Sequence, residues 1–227
     1  MSHDMRTPLN AVMGLATLIS RDAENPDCVR EYARKLTYSG EHLLGLINDV
    51  LDMSKIEAGK TVLNITNTNI AELVEELDMI IRSQTREKGQ EFMIHVHRIE
   101  TEEVEADKLR LNQILLNIVS NAIKFTCEGG IVVSFEYRHE TYGINLIITV
   151  KDTGIGIDKK NIERLFTTYN QVDSNRNRQE GGIGLGLAIV RAIVEVMGGV
   201  LSVKSELGRG SEFRVVIPQK VEKYEPM

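Results

Sequence analysis

Three groups of residues in the C-terminal part of the chain have the composition of a nucleotide-binding site. The first is a helix-forming segment that carries Asn117, Asn121 and Lys124, and the other two are the glycine clusters 152–156 and 181–186. A buried acid can anchor a base, an amide oxygen can bind a metal ion, and glycine-rich backbone can surround phosphates. One glycine cluster would be weak support. The three groups in this order predict a site for a nucleotide and its metal ion.

The segment 107–125 is predicted to form an amphipathic helix. Its apolar residues make one stripe that we expect to face a sheet: Leu111, Ile114, Leu115, Ile118, Val119 and Ala122. Asn117, Asn121 and Lys124 fall on the opposite side. A solvated face is the simpler interpretation, yet asparagine is a poor helix former, so two asparagines one turn apart favour a function. Amide oxygens suit Mg²⁺, with Asn121 as a ligand, and the Lys124 ammonium group suits a phosphate oxygen.

Asp152 follows a predicted strand, 144–151, in which apolar residues alternate with mostly polar ones. It shares the parity of the apolar positions, so its carboxylate is expected to be buried and to need hydrogen-bond donors. An adenine amino group is one such donor, and Gly154 and Gly156 would let the backbone approach the ring. A capped turn is the alternative interpretation of an Asp-x-Gly sequence.

The second glycine cluster precedes a predicted helix. Gly182, Gly184 and Gly186 stand directly before or at its start, and Leu187 follows them. Because N–H groups at a helix N-terminus bind anions, this cluster is expected to hold phosphates. The polar segment 167–180 before it is interpreted either as a mobile lid over a nucleotide or as a disordered loop.

The beginning of the chain carries a histidine with distinctive neighbours. On a helical wheel His3, Asp4 and Thr7 lie opposite the apolar stripe that starts at Leu9, so the imidazole is expected to face outward. Asp4 can accept one ring N–H and thereby orient the other ring nitrogen for attack on a phosphorus atom. Four other histidines are interpreted as inert, including a pair on one strand that lacks a third metal ligand: His42, His95, His97 and His139.

Composition narrows the possible classes of protein. The chain has 227 residues, 42% of them hydrophobic, and a net charge of −6, which disfavours nucleic-acid binding. Two cysteines provide neither a disulfide framework nor a zinc site, which fits a reducing compartment. No apolar run approaches the roughly 20 residues of a membrane span. We therefore expect a cytoplasmic fragment without membrane contact, even if segments outside it anchor a full-length parent in the inner membrane.

Hydrophobic periodicity divides the chain into two parts. Residues 2–22 and 28–56 are predicted to be helices, with Asp27 as the cap of the second. Their apolar face is too broad for two helices to bury, so we expect a second subunit to complete a homodimeric four-helix bundle. The rest predicts an antiparallel or mixed sheet covered by helices, an α+β fold, with strands at 61–68, 92–98, 103–106, 131–139, 144–151, 200–205 and 211–217 and helices at 69–87, 107–125 and 184–197.

Taken together, the motifs resemble those of sensor histidine kinases of two-component systems. The resemblance covers essentially the whole chain, and the residues within the motifs are most similar to those of hybrid kinases. The matching segments are Ser2–Asn10 for the H box, Asn117–Thr126 for the N box, Asp152–Gly156 for the G1 box, Leu165-Phe166 with Asn170-Gln171 for the F box, and Gly182–Leu187 for the G2 box.

The resemblance implies a fold, an activity and roles for individual residues. It implies a dimerisation hairpin over 1–58, an ATP-binding α/β sandwich of the Bergerat type over 59–221, and a tail at 222–227. It assigns the phosphoacceptor to His3, adenine recognition to Asp152, and Mg²⁺ binding chiefly to Asn121, with Asn117 and Lys124 alongside. Further residues expected near ATP are Gly154, Gly156, Phe166, Arg178, Gly182, Gly184, Gly186 and Leu187.

The implied reaction is ATP-dependent autophosphorylation followed by transfer to an aspartate of a response regulator receiver domain. Asp4 and Thr7 also resemble the family motif that orients water to dephosphorylate that regulator. Two alternatives stay open. One is an ATPase of the same fold superfamily, of the chaperone, mismatch-repair or topoisomerase type, and the other is a degenerate kinase that acts as a dimeric scaffold.

Overall fold

The computed structural model describes residues 2–97, 103–140, 143–162, 165–166 and 185–219, except for the side chains of residues 2–4, 57, 103, 139, 140 and 144. The chain divides into two compact units, one containing the residues up to Gly59 and the other most of the described residues from Lys60 onward. Each unit is treated by itself below.

The first unit is a helical hairpin. Helix α1 spans Ser2–Arg21 and helix α2 spans Pro26–Glu57. The expected cap at Asp27 is wrong: the N-cap is Asn25, whose side chain accepts a hydrogen bond from the backbone N–H of Cys28 at 3.3 Å. Pro26 explains the difference, because proline is favoured in the first helical turn, where its missing N–H has no intrahelical partner to lose. Asp27 lies within the first turn, where its negative charge interacts favourably with the positive end of the helix dipole.

The two helices of the hairpin leave much of their apolar surface uncovered. Leu46 is buried. Other large apolar side chains of the hairpin stay exposed in the single chain: Leu9, Met13, Leu44, Ile47 and Leu51. Two helices alone therefore do not bury the apolar surface that the sequence supplies, which is the physical basis for the expected homodimer.

The second unit interleaves strands and helices. Its elements are β1 (Thr66–Asn69), α3 (Ile70–Glu87), β2 (Glu91–His97), β3 (Glu103–Ala106), α4 (Lys108–Phe125), β4 (Gly130–Glu140), β5 (Gly143–Asp152), α5 (Lys159–Ile162), α6 (Gly186–Val196), β6 (Val200–Glu206) and β7 (Gly210–Gln219). The strand predicted at 61–68 forms only over the residues of β1. The short helix α5 was not predicted.

The main sheet is mixed, as predicted. Its strand order is β2-β4-β5-β7-β6; β2 and β4 are parallel, and the remaining neighbours are antiparallel. Strands β1 and β3 form a separate antiparallel pair. The α+β fold class is thereby confirmed.

Helices α3, α4 and α6 pack on the sheet and close the core. The apolar stripe predicted for α4 is buried in full, with no member more than 4% exposed. Opposite it lie alternate residues of the central strands, among them Ile131, Val133 and Phe135 of β4 and Leu146 and Ile148 of β5. Because this stripe fixes the rotation of α4 about its axis, it also decides where the polar side of that helix points.

Candidate functional site

Helix α4 holds the predicted amide and ammonium groups at half-buried positions on its polar side. It begins at the N-cap Asp107, whose side chain accepts from the backbone N–H of Arg110 at 3.1 Å. Asn121 and Lys124 are half-buried, and the Lys124 Nζ lies 5.4 Å from the centre of the Phe125 ring. Both side chains are therefore partly exposed near the C-terminal end of the helix.

Asn117 has a structural contact that the sequence did not reveal. Its Nδ2 donates to the Gln113 carbonyl oxygen at 3.0 Å, one turn back along α4. Its Oδ1 faces Gly186, the first residue of α6, so closely that a Cβ placed on that glycine would lie 2.6 Å from it. The structure thus brings Asn117 and Gly186 together, and a larger residue at position 186 would have to displace the Asn117 amide.

Asp152, the last residue of β5, is a buried carboxylate with two protein donors. Its side chain is 6% exposed, and Oδ1 accepts from the backbone N–H of Gly154 at 2.8 Å and from that of Ser211 at 3.2 Å. Burial raises the pKa of Asp152 above its ordinary value, while the two backbone donors act in the opposite sense. Among the described residues no donor reaches the second oxygen, Oδ2. An acceptor oxygen without a protein donor, on a carboxylate that is mostly buried, fits a ligand that presents an N–H, such as the amino group of adenine.

Ser211 is the functional residue that sequence reasoning missed. It lies directly opposite Asp152 in the antiparallel β5–β7 register, and its Oγ is 3.0 Å from the Oγ of Ser205. The Ser205 hydroxyl also accepts from the backbone N–H of Ile157 at 2.8 Å and donates to the Gly210 carbonyl oxygen at 2.9 Å. These bonds fix the backbone on both sides of the carboxylate. These hydrogen bonds depend on how β5, β6 and β7 pair with one another, which the sequence of one strand alone does not show.

The glycines after Asp152 are required by the protein itself. A Cβ on Gly154 would overlap the Phe125 carbonyl oxygen, which also accepts from the Ile155 N–H at 3.1 Å. Gly156 has φ +67°, and a Cβ there would overlap the Glu206 carbonyl oxygen. The loop is therefore held between the end of α4 and the end of β6, a reason for glycine different from the expected approach to a base.

The structure describes some of the remaining predicted ligand residues and not others. Phe166 is half-buried, and Gly186 and Leu187 form the start of α6. Arg178, Gly182 and Gly184 lie outside the described residues, as does the segment 167–180.

The acceptor motif lies on the first turns of α1. His3 and Asp4 belong to this helix, but their side chains are outside the described residues. Thr7 is exposed, whereas the neighbouring Pro8 is buried within the helix. Proline has no N–H to donate to the carbonyl of residue 4, so the helix lacks one backbone hydrogen bond beside the motif.

Neither the histidines nor the cysteines form a metal centre in the part of the chain that the structure describes. The rings of His95 and His97 meet edge to face at 5.7 Å, but no group of three His, Cys, Asp or Glu side chains comes together there. Cys28 and Cys127 are free thiols. Over the same ranges, none of the helices combines the length and apolar character that a membrane crossing needs.

Two protein families match the chain, one for each unit. The family described as "His Kinase A (phospho-acceptor) domain" matches residues 1–59, and the family described as "Histidine kinase-, DNA gyrase B-, and HSP90-like ATPase" matches residues 106–221. The chain is 44% identical over 221 residues to the autoinducer 2 sensor kinase/phosphatase LuxQ of Vibrio vulnificus, an alignment that covers 96% of this chain and 26% of LuxQ. The chain thus spans about a quarter of the length of that curated relative.

Solved structures agree with these matches. The chain is 33% identical in sequence to ShkA, whose full-length structure was solved in complex with AMPPNP. The two structures superpose with a TM-score of 0.75, and the match covers 96% of this chain and 44% of ShkA. The chain is 26% identical in sequence to the histidine kinase ThkA, whose structure was solved in complex with the response regulator protein TrrA. The TM-score is 0.69, and the match covers 98% of this chain and 61% of ThkA. A phosphoacceptor hairpin followed by an ATPase-type α/β unit, with this degree of identity, shows that the chain belongs to the sensor histidine kinases.

Proposed function

We propose that this chain is an ATP-dependent protein-histidine kinase that phosphorylates its own His3 and passes the phosphoryl group to an aspartate of a response regulator receiver domain. The observation that carries the proposal is Asp152, a buried carboxylate with one oxygen saturated by backbone N–H groups and the other without a described protein donor. The neighbour structures support both halves of the reaction, since ShkA binds AMPPNP and ThkA binds a response regulator protein.

The α/β unit supplies binding and charge compensation. Asp152 recognises the adenine amino group through Oδ2, and Asn121 and Lys124, one turn apart on α4, face the triphosphate. A bound Mg²⁺, held chiefly by the Asn121 amide oxygen with Asn117 nearby, would neutralise charge that develops on the transferred phosphoryl group. Arg178 and the glycines from Gly182 to Gly186 are proposed as further phosphate contacts, with Phe166 and Leu187 beside the nucleotide.

The hairpin supplies the nucleophile. One ring nitrogen of His3 forms a bond to the γ-phosphorus while the bond from that phosphorus to the β,γ-bridging oxygen breaks, and ADP leaves. The other ring nitrogen donates its N–H to Asp4, which stabilises the positive charge of the imidazole as the P–N bond forms. The uncovered apolar residues of the hairpin support a homodimer as the form in which this occurs.

A phosphatase activity toward the same receiver domain is a second proposed function. Asp4 and Thr7 are three residues apart on α1, the spacing of neighbours on one face of a helix, and Thr7 is exposed. We propose that the two residues orient a water molecule beside a docked partner. The printed name of LuxQ, a kinase/phosphatase, supports this pairing of activities.

Labelling with radioactive ATP tests the kinase proposal. Protein mixed with Mg²⁺ and [γ-³²P]ATP should acquire a phosphoryl group that is labile in acid and stable in base, and His3→Gln should abolish it. The matched control is His42→Gln, an exposed histidine on the other helix of the hairpin, which should label normally. Release of phosphate without protein labelling would favour the ATPase alternative, and label that persists in His3→Gln would remove His3 as the acceptor.

The metal assignment needs its own pair of variants. Asn121→Ala should remove Mg²⁺-dependent labelling and leave the fold intact, whereas Ser120→Ala, an exposed neighbour on α4, should not change labelling. Normal labelling by Asn121→Ala would exclude Asn121 from the site.

A further inference from the structure

Helix α3 ends in a turn whose last residue is a buried glutamine. Gly89, with φ +65°, donates its N–H to the Arg86 carbonyl oxygen at 3.1 Å, and the Gln90 N–H reaches the Thr85 carbonyl oxygen at 2.9 Å. This pair of bonds is the Schellman motif, in which the residue at the Gln90 position is commonly apolar and packs on the helix end. Here that position holds an amide side chain that is only 8% exposed.

The amide of Gln90 reaches across to the end of another helix. Its Nε2 donates to the Ile123 carbonyl oxygen at 2.9 Å and also to the Thr126 carbonyl oxygen. The last carbonyls of a helix lack intrahelical donors and need others. The C-cap of α4, Thr126, has an extended backbone and starts no left-handed turn of its own. Gln90 therefore supplies part of the C-terminal cap that α4 does not make for itself.

This capping is directional and leaves one atom of Gln90 unsatisfied. Both hydrogens of Nε2 point at carbonyl oxygens, so the reversed amide would set three oxygens against one another. In the part of the chain that the structure describes, the buried Oε1 has no hydrogen-bond partner. A buried unpaired acceptor is unfavourable for stability, and an apolar side chain of similar volume would avoid that cost. The amide is thus better suited to fixing the position of α4 than to filling space.

The end of α4 that Gln90 caps is also the support of the nucleotide-site loop. Two residues beyond Ile123, the Phe125 carbonyl oxygen accepts from the Ile155 N–H and lies against Gly154. Three groups thus satisfy carbonyls at the end of α4: the Gln90 amide, the Lys88 ammonium group, whose Nζ is 3.5 Å from the Ile123 carbonyl oxygen, and the loop that follows Asp152. The same last turn carries Asn121 and Lys124.

We infer that Gln90 is a positioning residue of the nucleotide site. By capping α4 it holds the Phe125 carbonyl where the loop after Asp152 docks, and it sets the last turn of α4 relative to that carboxylate. This inference rests on the proposed function for its consequence in nucleotide binding, but the docking of the loop is measurable without nucleotide.

The test compares Gln90→Met with Gly89→Ala in the whole 227-residue chain. Methionine keeps the volume of glutamine and removes the donor, whereas an alanine at position 89 strains the same turn through its positive φ and meets no atom within 4 Å. In the nucleotide-free protein, amide hydrogen exchange of Ile155 should accelerate about five- to tenfold in Gln90→Met, because the support of its hydrogen bond is loosened. Gly89→Ala should leave that rate unchanged. The dissociation constant for ATP with Mg²⁺, from calorimetry, should rise by a similar factor in Gln90→Met alone.

Gln90→Leu provides a second variant that is apolar and lacks the donor, should the methionine variant not fold. Equal Ile155 exchange in wild type and in a folded donorless variant would overturn the inference, and so would equal acceleration in Gly89→Ala. If wild type binds no ATP, the proposed function fails, yet the exchange comparison still decides the role of Gln90.

Discussion

Replacing Asp152 by asparagine separates the proposed role of this residue in binding ATP from its effect on the stability of the fold. The variant keeps one oxygen, which can still accept from the Gly154 and Ser211 N–H groups. Its second atom becomes an NH₂ group in the place of Oδ2. When adenine binds, its amino group and the NH₂ group of the variant are both donors and face each other. A hydrogen bond to a charged group is worth about 1.5–3 kcal/mol, and a buried unpaired donor costs about 1–3 kcal/mol.

These terms predict a large loss of affinity for ATP. A combined change of at least about 3 kcal/mol corresponds to a rise in the dissociation constant of roughly a hundredfold or more. The loss for GTP should be smaller, since the guanine O6 is an acceptor that the new NH₂ group can meet. Isothermal titration with each nucleotide measures both constants. Glu212→Gln, which alters the carboxylate next to Ser211 on the other face of β7, is the matched control and should bind ATP as wild type does.

Any loss of stability caused by the same substitution should become smaller as pH rises from acid to neutral. Burial raises the pKa of Asp152 in the folded protein, so the folded state holds its proton more strongly than the unfolded chain does. The stability from this group is complete below the unfolded pKa and is lost as pH rises through the folded pKa. The asparagine side chain of the variant does not ionise, so the free energy of unfolding of the variant relative to wild type should increase from acid to neutral pH.

Urea unfolding at several pH values, together with the titrations, can refute this reasoning. An Asp152→Asn protein that binds ATP within about threefold of wild type would show that Oδ2 does not receive the base. A variant that becomes progressively less stable than wild type as pH rises to neutral would show that the carboxylate is favourably ionised, contrary to the direction of its pKa.

Two other substitutions test the packing of the loop and the hairpin. Gly156→Ala should lower the free energy of unfolding in urea by about 2–4 kcal/mol, because its Cβ would meet the Glu206 carbonyl oxygen at a positive φ. Gly208 also has a positive φ but lies in open space, so Gly208→Ala should lower that free energy by only about 1 kcal/mol. Equal losses in the two variants would argue against the clash. Leu44→Asp should weaken a hairpin dimer by at least about 2 kcal/mol, or roughly thirtyfold, since it charges an apolar side chain that is 59% exposed in the single chain. His42→Asp should leave sedimentation unchanged, and a wild type that is monomeric at high concentration would contradict the expected bundle.

Local patterns predicted most of the elements correctly. Helix α4 is the clearest case, because six apolar residues at helical spacing can share one buried face in no other regular conformation. Strand β1 shows where such reasoning fails. The predicted strand began at residue 61, yet the ladder begins at Thr66, because Thr66 pairs with Ala106 and the next residue of the partner segment, Asp107, caps α4. Val62 accordingly stays 86% exposed.

The candidate site was predicted in its residue types but not in its contacts. The parity of β5 correctly placed Asp152 at the end of a buried row. The donor Ser211 lies 59 residues further along the chain and is brought to the carboxylate by strand pairing. The reason for Gly154 likewise depends on Phe125, which belongs to α4.

The amino-acid sequence by itself determined the elements, the position of Asp152 on the inner face and the set of groups suited to a nucleotide. These depend on interactions between residues a few positions apart, which periodicity reports. The tertiary structure alone decided which backbone donors hold Asp152, why the neighbouring loop needs glycine, and that Gln90 caps α4. Those contacts join distant segments, and their geometry follows from strand register and helix packing, which no local pattern encodes.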